Sequence, residues 1–266
     1  MATRDDIIEI AVNGERICGT LITPGVRVPG VLFVHGWGGS QEQYVARARE
    51  IAALGCVCLT FDLRGHARTK AQYETVSREH NLRDVSAAYD ALVHQRGVDP
   101  SAIAVVGSSY GGYLAAILTS MRPVKWLALR APALYKDTGW ELPKRQLRQQ
   151  QDLEAYRRLP AKPTESRALA ACTRFEGDVL LVESENDELV PHQVLVNYRE
   201  ACIRARSVTA RVITGADHGL AGPGCQQAYT TLLVTWLTEM IVGARTPEPA
   251  PQPAAPVVPE RPTQPA

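Results

Sequence analysis

The sequence predicts an α/β protein: a mostly parallel central sheet with helices on both faces, entered through an antiparallel hairpin and interrupted by a small cap insertion. Three observations carry that expectation. Short apolar runs alternate with longer segments of helical spacing along most of the chain, the order that builds parallel strands joined by crossover helices. Residues 7–12 and 16–22 flank Asn13-Gly14, a strong two-residue hairpin signal. Residues 135–175 offer no clear strand between two apolar runs, so that stretch is placed above or beside the sheet.

After the hairpin, residues 31–34 form a short apolar run ending in His35-Gly36, as a buried central strand does. Tyr44, Ala48, Ile51, Ala52 and Leu54 recur at helical spacing over 42–54, and Gly55 supplies a C-cap. Residues 56–61 read as the next strand. Leu82, Val85, Tyr89 and Leu92 mark a helix face over about 80–95, closed by Gly97. Residues 103–106 are another buried strand, followed by a glycine-rich turn and a helical run over 113–119. Strands at 126–129, 179–182 and 208–213 continue the series, with helices near 192–205 and 226–242. Residues 246–266 hold eight prolines and almost no large apolar side chain, a composition that cannot offset its ordering entropy. The expected organisation is therefore one domain over 1–245, with the cap at about 135–175 and a disordered tail after it.

Composition narrows the function classes. A chain of 266 residues with 45% apolar and 21% charged content can bury a full core without metal or disulfide staples. The formal charge of +1 gives no basic footprint for nucleic acid or an anionic membrane, which leaves a small molecule as the expected partner. Cys18, Cys56, Cys58, Cys172, Cys202 and Cys225 show no C-x-x-C spacing and read as reduced, mostly buried residues. No apolar h-region opens the chain and no run approaches the ~20 residues that span a bilayer, so a cytoplasmic location is expected.

The chemistry centres on Gly107-Ser108-Ser109-Tyr110-Gly111, which matches G-x-S-x-G and continues with Gly112. A strand precedes it and a helix follows, the setting such a turn needs to lift a serine to the sheet edge. Glycines two residues either side relieve the crowding of the bend. Ser108 lacks those flanks and is a poor second choice. A serine hydroxyl needs a base, and of six histidines His218, in Asp217-His218-Gly219 after the last strand, is placed to reach Ser109. His35 reads as a loop prop, and His80, His94 and His192 as surface residues. The base needs a carboxylate to fix its tautomer. Asp187, in the loop after residues 179–182, is favoured over Glu185 and Glu183, and Asp217 points elsewhere. An acyl-transfer oxyanion needs two preorganised donors. The Tyr110 amide supplies one, and Trp37, in the glycine-rich turn Gly36-Trp37-Gly38-Gly39, the other. Tyr113 and Trp140 are candidate pocket walls. The insertion's Lys144, Arg145, Arg148, Arg157 and Arg158 interleave with Glu141, Asp152 and Glu154 and read as a solvated face.

Together, His35-Gly36-Trp37-Gly38, Phe61-Asp62-Leu63-Arg64-Gly65-His66, Gly107 to Gly112, Asp187-Glu188-Leu189-Val190-Pro191 and Asp217-His218-Gly219 resemble the α/β-hydrolase superfamily over nearly all of 1–245. The elbow Ser109-Tyr110-Gly111-Gly112-Tyr113 is similar to that of prolyl-oligopeptidase-like and dienelactone-hydrolase-like enzymes, and the insertion resembles the caps of bacterial feruloyl-type esterases. The resemblance implies a serine esterase working through an acyl-enzyme, with no metal or organic cofactor. A small peptidase, amidase or thioesterase using the same residues, and a silent hydrolase-fold binding protein, are the alternatives. One departure stands out: after Arg-Gly-His the family continues with Gly and then Ser, whereas Ala67-Arg68-Thr69 stands here, which puts that loop's conformation in question.

Overall fold

A computed structural model describes residues 4–23, 28–222 and 224–243; the proline-rich stretch 246–266 lies outside the described residues. Strands β1 (Arg4–Val12) and β2 (Glu15–Thr23) form the expected hairpin, with Val12 opposite Glu15. Asn13 and Gly14 both adopt positive φ, 49° and 84°, which a type I′ turn requires. Next come β3 (Val28–Val34), α1 (Glu42–Ala53), β4 (Val57–Phe61), α2 (Arg78–Val93), β5 (Val98–Ser108), α3 (Tyr110–Leu118) and β6 (Trp126–Arg130). The insertion carries α4 (Leu147–Gln150), α5 (Leu153–Arg157) and α6 (Arg167–Cys172), with no strand among its described residues. Then follow β7 (Asp178–Ser184), α7 (His192–Ala201), β8 (Ser207–Ile213) and α8 (Cys225–Gly243).

The eight strands form one sheet in the order β1-β2-β4-β3-β5-β6-β7-β8. The hairpin and its junction with β4 are antiparallel, and the remaining pairs are parallel. Alternation along the strands sorts side chains between two cores. On β3, Leu32 and Val34 face the core covered by α2, α3, α6 and α7, while Val31 and Phe33 face the one covered by α1 and α8. Both faces are therefore apolar, which is why the central strands read as continuous apolar runs. The chain runs from β3 toward β4 on one side and returns to β5 on the other. That makes the carboxyl ends of β3 and β5 a topological switch point, the place where open α/β sheets leave a crevice.

The insertion packs more deeply than its composition suggested. Leu147, Leu153, Tyr156 and Leu169 join the larger core. Lys144, expected on a solvated face, is buried, with its ammonium about 5 Å from the rings of Trp37, Tyr110 and Tyr135. Cation–π attraction by three ring faces accounts for its position. Arg157 donates to the carbonyls of Leu134 and Leu189 at 3.2 and 2.9 Å, tying α5 to the loop that carries Asp187. Glu141, Arg145 and Glu154 are exposed as expected. Among the described residues no helix is long and apolar enough to cross a membrane.

Candidate active site

Ser109 stands between β5 and α3 with φ 51° and ψ −120°, a region costly for any residue with a Cβ. The surrounding bonds hold it there. Its N–H donates to the Arg130 carbonyl at 2.9 Å, and its own carbonyl accepts from Tyr113 and Ala133 at 3.1 and 2.9 Å. The flanking glycines are required by close backbone approach rather than by torsion angles. A Cβ on Gly107 would lie 2.5 Å from the Gly111 carbonyl oxygen, and one on Gly111 would collide with the carbonyls of Val34 and His35.

The structure brings Ser109, His218 and Asp187 into one line. His218 Nε2 lies 3.0 Å from Ser109 Oγ, and His218 Nδ1 lies 2.7 Å from Asp187 Oδ2. The Asp187 side chain is nearly fully buried, and its Oδ1 accepts from the amides of Leu189 and Val190 at 2.9 and 2.8 Å. The competing acids are engaged elsewhere. Glu185 accepts from the Gly215 amide, Glu183 meets His192, and Asp217 accepts from the Ala221 amide. Ser108 is buried against Arg130.

The loop after β3 lies directly over Ser109: a Cβ on Gly36 would be 3.2 Å from that of Ser109. Neither the Trp37 nor the Tyr110 amide has a backbone acceptor among the described residues. Their side chains are occupied away from the hydroxyl. The Trp37 ring packs on His66, Tyr73 and Tyr110, and the Tyr110 hydroxyl donates to Asn81 Oδ1 at 3.1 Å. Tyr113 and Trp140, expected as pocket walls, are not among the residues lining the cleft at Ser109. Tyr113 is a fully buried residue of α3 itself, and Trp140 donates to Glu79 beneath the Arg167 guanidinium.

Residues 61–66 brace this loop. His35 Nε2 accepts from the Leu63 amide at 3.0 Å while Nδ1–H donates to the Gly36 carbonyl at 2.8 Å. His66 Nε2 accepts from the Gly38 amide at 2.9 Å. Asp62 accepts from both the backbone and side-chain amides of Gln41. Ala67, where the family uses glycine, has φ 44°. The left-handed turn is thus retained, at the ~1–2 kcal/mol that a Cβ adds there.

Both bracing histidines accept through Nε2, so the loop needs them neutral. Burial pushes His35 down to about 3 and lowers His66 as well. The unfolded chain takes up a proton on His35 near pH 6.5, whereas the folded one does not until about pH 3. This contribution to stability is therefore complete above pH 6.5 and is lost as pH falls toward 3. Urea denaturation should show a loss of about 2 kcal/mol from His35 alone between pH 7 and pH 5. His35→Gln should flatten that slope, and an unchanged slope would dismiss His35 as its source.

The cleft beside Ser109 has a volume of about 440 Å³ and is walled by Trp37, Arg47, Arg130, His218 and Tyr229 among others. Arg47 and Arg130 were not singled out from the sequence. The available signals were a guanidinium inside the apolar stripe of α1 and another closing the apolar strand β6.

The comparisons agree with this architecture. An uncharacterized protein of Mycobacterium tuberculosis is 33% identical over 133 residues, 49% of this chain and 46% of that protein, so the match spans about half of the relative's length. Est1E from Butyrivibrio proteoclasticus, solved with ferulic acid bound, superposes with a TM-score of 0.67 at 18% identity, covering 89% of this chain and 98% of that one. An acylaminoacyl peptidase from Pyrococcus horikoshii gives a TM-score of 0.69 at 15% identity, covering 91% and 42%. Residues 42–243 match the prolyl oligopeptidase family, and the chain belongs to that family of α/β-hydrolase-fold serine hydrolases.

Proposed function

We propose that this hydrolase cleaves carboxylic esters through an acyl-enzyme on Ser109. The observation that carries the reading is the line Ser109–His218–Asp187, at 3.0 and 2.7 Å, set at a strained elbow beneath a braced amide loop. Ser109 Oγ attacks the ester carbonyl while His218 Nε2 takes its proton. The Trp37 and Tyr110 amides receive the oxyanion. His218 returns the proton to the departing alcohol, and water then resolves the acyl-enzyme by the same route in reverse. Asp187 holds the tautomer that leaves Nε2 free to accept. The chain's organisation as a hydrolase domain over 1–245 with a cap and tail belongs to the same proposal.

An ester is favoured over an amide because the chain spans nearly all of Est1E but under half of the acylaminoacyl peptidase. The test compares kcat/KM on p-nitrophenyl esters with that on aminoacyl p-nitroanilides. The esters should be preferred, and anilides turned over as efficiently would move the reading to a peptidase. A fluorophosphonate should label Ser109 in the folded protein; absence of labelling would leave a silent hydrolase-fold binding protein instead.

A further inference from the structure

Arg47 and Arg130 line the cleft from different layers, one from α1 and one from the end of β6 in the sheet. Both are more than nine-tenths buried. Charges withdrawn from water are normally paired with opposite charges, yet no carboxylate pairs with either guanidinium among the described residues. Every partner is neutral. Arg47 Nε donates to Thr230 Oγ1 at 2.9 Å, one terminal nitrogen to the Gln43 carbonyl at 2.9 Å, and the other to Gln226 Oε1. Arg130 donates to Ser108 Oγ, Ser184 Oγ and the His218 carbonyl, at 3.3, 3.2 and 2.9 Å. Each guanidinium has five N–H donors, so these contacts fix both forks and leave donors uncommitted.

The remaining wall matches. Among the described residues, no aspartate or glutamate lines the cleft. The Tyr229 ring lies 4.8 Å from the Arg47 guanidinium carbon and 5.9 Å from that of Arg130. Its hydroxyl is buried, with the Ser108 side chain for a polar neighbour, and completes no hydrogen bond of full geometry. A pocket with two fixed cations, a spare hydroxyl and no acid is short of one anion. A planar fork suits a carboxylate, which it can bind through two parallel hydrogen bonds.

Building on the esterase reading, we infer that the substrates are esters carrying a free carboxylate besides the scissile group, seated between Arg47, Arg130 and Tyr229. The resident cations focus the field of the cleft and draw such esters in, and they hold the ester carbonyl at Ser109.

The test uses ester pairs that differ by one carboxylate: 4-nitrophenyl monoadipate against 4-nitrophenyl hexanoate, and 3-carboxyphenyl butyrate against phenyl butyrate. In one pair at least, kcat/KM for the charged member should exceed that of the neutral one by tenfold or more. In Arg47→Gln that ratio should fall about tenfold to a hundredfold, the range expected for a charge-assisted hydrogen bond, and Arg47→Lys should recover part of it. Because the readout is a ratio, partial loss of folded protein divides out. Neutral members cleaved as well as charged ones in both pairs would overturn the inference while leaving the hydrolase reading intact. If no ester were cleaved and Ser109 stayed unlabelled, that reading would fail instead, and the anion site would be judged by calorimetric titration of adipate. Saturable binding lost in Arg47→Gln supports the site, and no binding overturns it. Inorganic phosphate bound more tightly than adipate would overturn the carboxylate assignment.

Discussion

Ser109→Ala is expected to lower ester turnover about 10⁶-fold with the thermal unfolding midpoint little changed. Alanine keeps the Cβ, so the backbone at φ 51° carries the same strain as in the parent. What disappears is Oγ and its 3.0 Å contact with His218. His218→Ala should lose as much, because without a base the hydroxyl is no better a nucleophile than water. The double variant should be no worse than either single one, since groups acting as one unit are not additive. Steady-state kinetics on a p-nitrophenyl ester checks all three. Residual activity within a hundredfold of the parent in Ser109→Ala would move the nucleophile elsewhere.

Asp187→Asn is expected to cost about 10⁴ in turnover, the magnitude known for the equivalent change in another serine hydrolase. The local bonds explain why so small a change should matter. Oδ1 accepts from two backbone amides, of Leu189 and Val190, so an asparagine must place its oxygen there. Its NH₂ then faces His218 Nδ1, which must become the acceptor, and the ring proton moves to Nε2 beside Ser109. The base is lost with almost no movement of atoms. Glu185→Gln should change turnover only a few-fold, because Glu185 holds the Gly215 amide at 2.7 Å rather than the histidine. If Asp187→Asn retained substantial activity, the acid's role would pass to another carboxylate.

Most of the sheet was legible because strand signals are local. The Asn13-Gly14 turn and the apolar run of β3 follow from torsional preference and two-sided burial. Boundaries were less so. β5 begins at Val98, five residues before its apolar run, because its first residues pair with Val28 and Pro29 of β3, a partner the sequence does not reveal. Lys144 was misplaced for a related reason: the three rings that draw it inward belong to segments far apart in the chain.

At the site, the sequence by itself pointed to the residues proposed here for the chemistry. Glycines clear a turn for Ser109, and Asp187 and His218 follow in the order this fold requires, since the three lie beyond the carboxyl ends of the parallel strands β5, β7 and β8 in turn. Tertiary structure decided the rest. It joined the three at hydrogen-bond distance, turned Tyr113 and Trp140 into packing, and set Arg47 and Arg130 in one cleft though 83 positions apart in the sequence. Reactive residues are tied to local backbone devices that leave a motif, whereas a pocket wall is assembled from whatever side chains the packing of distant helices and strands brings together.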